Sequence, residues 1–189
     1  MIRHVVLVGL MGTGKTTVGR RLAARLERDF IDADDALAEI TDRTIAEIFA
    51  TDGEDAFRAI EADVLEEVLE HHRPAVIASG GGVVLREDSR QRLRGPAVTV
   101  VWLTASPAFL ASRIEGKPHR PLLAQEPAID VLTRLHAERT SLYTEVADIV
   151  VDVEPFHRSE EKPKKALAAR IAELVVAHEA ATLTEGAAS

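Results

Sequence analysis

The chain has 189 residues, of which 46% are hydrophobic and 29% charged, with a formal net charge of −8 and no cysteine. That length suits one α/β domain with a full core, and the missing cysteines exclude disulfides and thiolate metal sites. The acidic balance argues against a general nucleic-acid surface, which needs a basic face, and no apolar run approaches the roughly 20 residues of a membrane span.

The first expected element is a strand at 5–8, four apolar residues that include β-branched valines. It begins so early that it leaves no room for a signal or transit peptide, so a cytoplasmic protein is expected. Gly9-Leu10-Met11-Gly12-Thr13-Gly14-Lys15-Thr16 follows and fits G-x-x-x-x-G-K-[ST], the phosphate-binding loop. Val18, Leu22 and Leu26 then recur at helical spacing, which predicts a helix over 16–28. Strand, glycine loop and helix in that order build a nest of N–H groups at a helix N-terminus, which attracts a polyphosphate. Gly12, Thr13, Gly14, Lys15, Thr16 and Thr17 are its expected nucleotide-binding residues. Lys15 is placed to reach the β/γ-phosphates and the Thr16 hydroxyl to hold magnesium. Such a loop does not name the acceptor, since switches, motors and small-molecule kinases share it.

A weak strand signal at Phe30-Ile31 leads into Asp32-Ala33-Asp34. Residues beyond the carboxyl end of a strand in an open α/β sheet face the ligand. If the extended chain continues, the two carboxylates face the same side. One would order magnesium, directly or through water, and the other would accept a hydrogen bond from a substrate hydroxyl and take its proton. Either aspartate could instead cap the helix predicted over 34–40. Asp35 reads as a first-turn acid.

The 41–53 connection is expected as a loop, and a long helix over 54–71. On that helix Arg58 and Glu61, three apart, can pair on one face. Spacing alone favours a surface salt bridge; the sharper alternative has Glu61 turning Arg58 toward a substrate carboxylate. A strand at 75–78 runs into Ser79-Gly80-Gly81-Gly82, where bare backbone can approach a ligand closely. Another strand is expected at 98–103 and a helix over 106–114, ending near Arg113, which could lie on an adenine ring. The 115–127 connection has the length of a lid or binding loop. It carries Lys117-Pro118-His119-Arg120-Pro121, with Arg120 placed to close over a triphosphate. His119 has no partners at metal-ligand spacing. A helix over 128–145 holds Arg139 between Leu135 and Leu142, where a solvated arginine is the default. A strand at 149–151 and a helix over 163–179 follow, and 181–189 is expected to be a disordered tail. The alternation is βαβα, so the class is α/β with a mostly parallel sheet.

Taken in this order, the motifs resemble shikimate kinase, and the likeness runs from Val5 to about Asp152. It is similar to the actinobacterial form through Val-Gly-Leu-x-Gly-x-Gly-Lys and Ile48-Phe49-Ala50-Thr51-Asp52-Gly53-Glu54. The resemblance implies a three-layer P-loop kinase fold with a five-stranded parallel sheet, a substrate-binding region at about 33–61 and a lid at about 115–127, in one domain over 1–180. It implies transfer of the γ-phosphoryl of ATP to the 3-hydroxyl of shikimate, with magnesium, by a monomer. Asp32 then matches the residue that holds magnesium through water, and Asp34 the one that binds substrate hydroxyls and acts as base. Phe57-Arg58 matches the Phe-Arg motif, so Arg58 would take the shikimate carboxylate, with Glu61 beside it. Gly80, Gly81 and Gly82 would line the substrate pocket, and Phe49 and Phe57 would wall its ring. Arg120 to Leu123 matches the Arg-Pro-Leu-Leu lid, which brings Arg120 to the phosphates. Arg139 and Tyr143 match Arg-x-x-x-Tyr, which sets Arg139 on the carboxylate with Arg58.

Two departures stand out. Met11 replaces a small apolar residue or proline, in a loop that works through backbone groups. The stretch from Glu154 to Pro163 is longer and more charged than the family pattern, with Pro163 taking the adenine-flanking role. The nearest rival is another hydroxy-acid kinase such as a gluconate kinase, which would lack the combined Asp-x-Asp, Phe-Arg and Arg-Pro-Leu-Leu set. A nucleotide switch is the other rival, but no Asn-Lys-x-Asp guanine-reading motif is present.

Overall fold

The computed structural model describes residues 3–114, 126–159 and 161–187. Five strands, β1 (His4–Val8), β2 (Asp29–Asp32), β3 (Ala75–Ala78), β4 (Val98–Thr104) and β5 (Ile149–Asp152), form one sheet in the order β2-β3-β1-β4-β5. Every adjacent pair is parallel. The inner strands β1 and β3 are buried at every residue, as a parallel sheet covered on both faces requires. The edges are mixed: β5 alternates buried and exposed residues, and β2 is half-buried throughout. An edge strand carrying Asp29 and Asp32 at its ends has only a faint apolar signal, which is why only Phe30-Ile31 was visible.

The eight helices are α1 (Lys15–Leu26), α2 (Ala33–Thr41), α3 (Ile45–Leu69), α4 (Glu87–Leu93), α5 (Pro107–Ile114), α6 (Ala128–Val146), α7 (Glu154–Ser159) and α8 (Pro163–Ala187), among the described residues. α1 packs on α8, while α3, α4, α6 and α5 pack in succession, giving helix, sheet and helix layers. β1 is the switch point. Its neighbour on one side is β3 and on the other β4, so a crevice opens beyond its carboxyl end, where the loop at 9–14 lies.

Several expectations need correction. α1 stops at Leu26 because Glu27 takes a left-handed conformation (φ 53°), so the helix is shorter than 16–28. The connection at 41–53 is mostly helical. Thr44 and Glu47 form a reciprocal capping box that starts α3 at Ile45, and Gly53 (φ 84°, ψ 178°) kinks the helix before Glu54. The Thr44-x-x-Glu47 spacing carried that signal. α4 and α7 were not foreseen, because both are short. The tail expected to be disordered from Ala181 continues α8 to Ala187; alanine-rich sequence propagates a helix that packing has already nucleated. Arg3 helps hold that end, bonding Thr182, while Arg28 pairs with Glu179 at 2.7 Å. Of the expected lid, only Glu126 and Pro127 belong to the described residues, and Arg120 lies outside them.

Candidate active site

Gly9, Gly12 and Gly14 all have positive φ, which turns successive amides of the loop toward one concavity. Gly14 is the N-cap of α1, so the helix dipole points there too. The Lys15 ammonium folds back over the loop, donating to the carbonyls of Gly9 (2.8 Å) and Leu10 (3.2 Å). Thr13 faces inward instead. It is buried, and its hydroxyl donates to the Leu10 carbonyl at 2.9 Å, so its side chain braces the loop.

A cleft of about 510 Å³ opens from this loop. Gly12, Gly14, Lys15, Thr16 and Thr17 of the loop and α1, with Arg113, are among its lining residues. Asp32, Asp34, Phe49, Phe57, Arg58, Glu61, the three glycines of 80–82 and Arg139 line the same cleft. Among expected site residues, Thr13 and Pro163 do not line it. Pro163 borders a separate groove with Arg21, Arg25 and Lys165, and its neighbour Lys164 reaches the cleft in its place. Leu10, Met11, Ile45, Ala46, Ser79 and Lys164 are lining residues that sequence reasoning missed. Ile45 and Ala46 had a findable signal, the capping box; for Lys164 there was none.

The extended chain does not continue through Asp32-Ala33-Asp34. Asp32 caps α2, its Oδ1 accepting the Asp34 N–H at 3.1 Å, and Asp34 sits in the first helical turn. The capping and cleft-facing alternatives therefore both hold for Asp32.

Arg58 and Glu61 are not a surface pair. Each is more than 90% buried, and Arg58 Nη1 donates to Glu61 Oε2 at 2.8 Å, with Nη2 donating to Glu54 at 3.0 Å. Burial pushes the Glu61 carboxyl up from its usual range; Arg58 pulls it back, the Asp34 charge adds to the rise, and Arg139 opposes it. Burial also works against the Arg58 charge, but Glu61 and Glu54 outweigh it and keep the guanidinium charged. Gly80 and Gly82 make room for this pair. A Cβ on Gly80 would overlap the Glu61 carboxylate, and one on Gly82 would overlap the Arg58 guanidinium. Phe57 lies under Arg58, 5.0 Å from ring centroid to guanidinium, and against Phe49 at 4.4 Å.

Arg139 is also buried, contrary to the solvated default. Its Nη1 donates to the Gly81 carbonyl at 2.9 Å, and Tyr143 Oη donates to the same oxygen at 2.6 Å. Burial pushes the Tyr143 phenol up to about 12, so it remains a donor at ordinary pH. The Nε atoms of both Arg58 and Arg139 are buried and have no hydrogen-bond partner among the described residues. Both guanidiniums line the one cleft, where their charge suits an anion.

A parallel α/β sheet with a phosphate nest at its switch point, and an anion site in the same cleft, define a P-loop kinase of small acidic molecules. The chain belongs to the shikimate kinase family, whose profile it matches over residues 11–175. It is 45% identical to a shikimate kinase of Dechloromonas aromatica over 150 residues, 79% of this chain and 81% of that one. Its fold superposes with a TM-score of 0.84 on a shikimate kinase from Acinetobacter baumannii in complex with shikimate, at 34% identity, covering 94% of each chain. A gluconokinase from Sinorhizobium meliloti is more distant, with a TM-score of 0.54 at 21% identity over 92% of this chain and 95% of that one, which shows a shared fold alone.

Proposed function

We propose that this chain transfers the γ-phosphoryl of ATP to the 3-hydroxyl of shikimate, giving shikimate 3-phosphate and ADP. The observation that carries this reading is that the guanidiniums of Arg58 and Arg139, both on largely buried residues, line one cleft together with Asp34 and the phosphate-binding loop. Phosphoryl transfer needs positioning and charge neutralisation more than covalent chemistry. The amides of 12–17 cradle the triphosphate, and Lys15 leaves its loop carbonyls for the β/γ-phosphates. Arg58 and Arg139 grip the shikimate carboxylate, with Glu61 fixing the rotamer of Arg58. Phe49 and Phe57 wall the ring, and the glycines of 80–82 let it approach. Asp34 then receives the 3-hydroxyl, aligns it on the γ-phosphorus and takes its proton. Arg113 flanks the adenine, and Arg120, which lies outside the described residues, is assigned to the ATP phosphates by its Arg-Pro-Leu-Leu motif alone.

Thr16 and Asp32 present hard oxygen donors to the cleft beside Lys15, a set that suits magnesium. Among the described residues no cluster of three acidic or histidine side chains could hold a metal ion, so phosphates and water would complete the coordination. Thr16 would hold it directly and Asp32 through water. When bound, the ion withdraws charge from the β- and γ-phosphates.

No helix among the described residues is long and apolar enough to cross a membrane. The further reading is of a monomer acting in the cytoplasm on ATP and shikimate, without nucleic acid or membrane as partner; the acidic charge balance speaks against a nucleic-acid surface. A coupled ADP-release assay with shikimate and with gluconate tests the reading. Turnover with shikimate alone is the expected result. Turnover with gluconate, or with neither acid, would overturn it.

A further inference from the structure

The charged stretch after β5 folds into α7, which is tied to Ser106, the residue before α5, and to Arg113 within α5. At its start, Glu154 donates its N–H to Asp152 Oδ1 at 2.9 Å and accepts the Ser106 N–H at 2.6 Å. One turn on, His157 Nδ1 meets Arg113 Nη1 at 3.1 Å. Arg113 is held at two further points: its Nε donates to the Gly12 carbonyl at 2.9 Å, and its guanidinium lies 5.3 Å from the Phe109 ring centroid. The His157 ring also rests on Phe109, at 5.6 Å.

We propose that His157 is a positioning residue for nucleotide binding, holding the Arg113 guanidinium against the phosphate loop through its Nδ1 lone pair. This rests on the reading of Arg113 as a nucleotide residue. A guanidinium only donates, so Nδ1 must accept and the proton must sit on Nε2. The surroundings suit that neutral form. Burial, then the charges of Arg113 and Lys164, hold the imidazole below its usual pKa. The Gly12 carbonyl bond ties the same guanidinium to the loop that carries the phosphate nest. His157 therefore fixes a side chain that would otherwise have to be ordered when nucleotide arrives, and that ordering cost falls on affinity rather than on the chemical step.

Steady-state kinetics with ATP varied at saturating shikimate test this, using His157→Ala, His157→Asn, His157→Phe and Arg113→Ala. His157→Ala should raise KM for ATP roughly three- to tenfold, the range of one hydrogen bond, with kcat within about twofold and KM for shikimate unchanged. Asn offers an acceptor oxygen near the place of Nδ1 and should recover most of the affinity. Phe keeps the ring on Phe109 but lacks the acceptor, so it should resemble Ala. Rescue by Phe but not by Asn would mean that ring packing alone matters and would overturn the proposal. So would an unchanged KM for ATP in His157→Ala while Arg113→Ala raises it. If Arg113→Ala itself leaves KM for ATP unchanged, the nucleotide reading of Arg113 fails, and the role of His157 with it.

Discussion

Tyr143 Oη donates to the carbonyl oxygen of Gly81 at 2.6 Å, and Arg139 Nη1 donates to that same oxygen at 2.9 Å. One backbone acceptor, delivered by the loop after β3, thus fixes two side chains one turn apart on α6. The spacing of Arg-x-x-x-Tyr is explained by this shared partner. Tyr143→Phe would keep the stacking on Trp102, at 5.5 Å, and remove one buried bond. Stability should fall by about 1 kcal/mol in urea unfolding, and KM for shikimate should rise a few-fold as Arg139 loosens. Unchanged stability would mean that the bond is not formed in solution.

Arg139→Ala should lower kcat/KM for shikimate roughly ten- to a hundredfold, since a charge-assisted contact is worth about 1.5–3 kcal/mol. Affinity for ATP, measured by calorimetry, should change little, because Arg139 is bonded to the Gly81 carbonyl and is read as gripping the acid rather than the phosphates. An unchanged kcat/KM for shikimate would remove Arg139 from the carboxylate clamp.

Gly82→Ala tests the close approach. The added methyl meets the Arg58 guanidinium, whose Glu61 and Glu54 bonds prevent an easy retreat. A cost of about 1–3 kcal/mol in stability is expected, together with loss of most shikimate turnover. Wild-type kinetics in this variant would show that Arg58 has other room.

Asp34→Asn should nearly abolish transfer while leaving ATP binding intact. The change keeps shape and removes the charge that would take the hydroxyl proton. Single-turnover measurement separates this from a binding defect, and substantial remaining turnover would rule out Asp34 as base.

Gly53→Ala isolates backbone strain. Nothing lies within 4 Å of a Cβ there, yet φ is 84°, so any cost comes from conformation alone. A loss of about 1–2 kcal/mol in thermal or urea unfolding is expected. The kink also sets the start of the segment bearing Phe57 and Arg58, so KM for shikimate should rise as well.

The phosphate loop was legible from residue order because its groups are contiguous backbone amides between β1 and α1. The inner strands were legible because burial on both faces makes each a continuous apolar run. β2 was faint for the converse reason, being an edge strand with aspartates at both ends. The helical first half of α3 is written in the sequence as the Thr44-x-x-Glu47 capping box, but Gly53 masks its continuity with the segment after it.

Arg58, Glu61 and Arg139 were different. Read from spacing, each looked like an ordinary surface charge, and only likeness to a family gave them roles. Burial is a non-local property. It arises here because α3 and α6 converge on the glycine loop after β3, which no periodicity within either helix reports. Gly80 and Gly82 are expected from sequence to let the backbone approach a ligand; in the structure the groups packed against them are the Glu61 and Arg58 side chains. The contiguous elements, strand, nest and helix, follow from local order. The acceptor end of the cleft exists only where distant segments pack, because the energy of a buried guanidinium depends on everything that has displaced water from it.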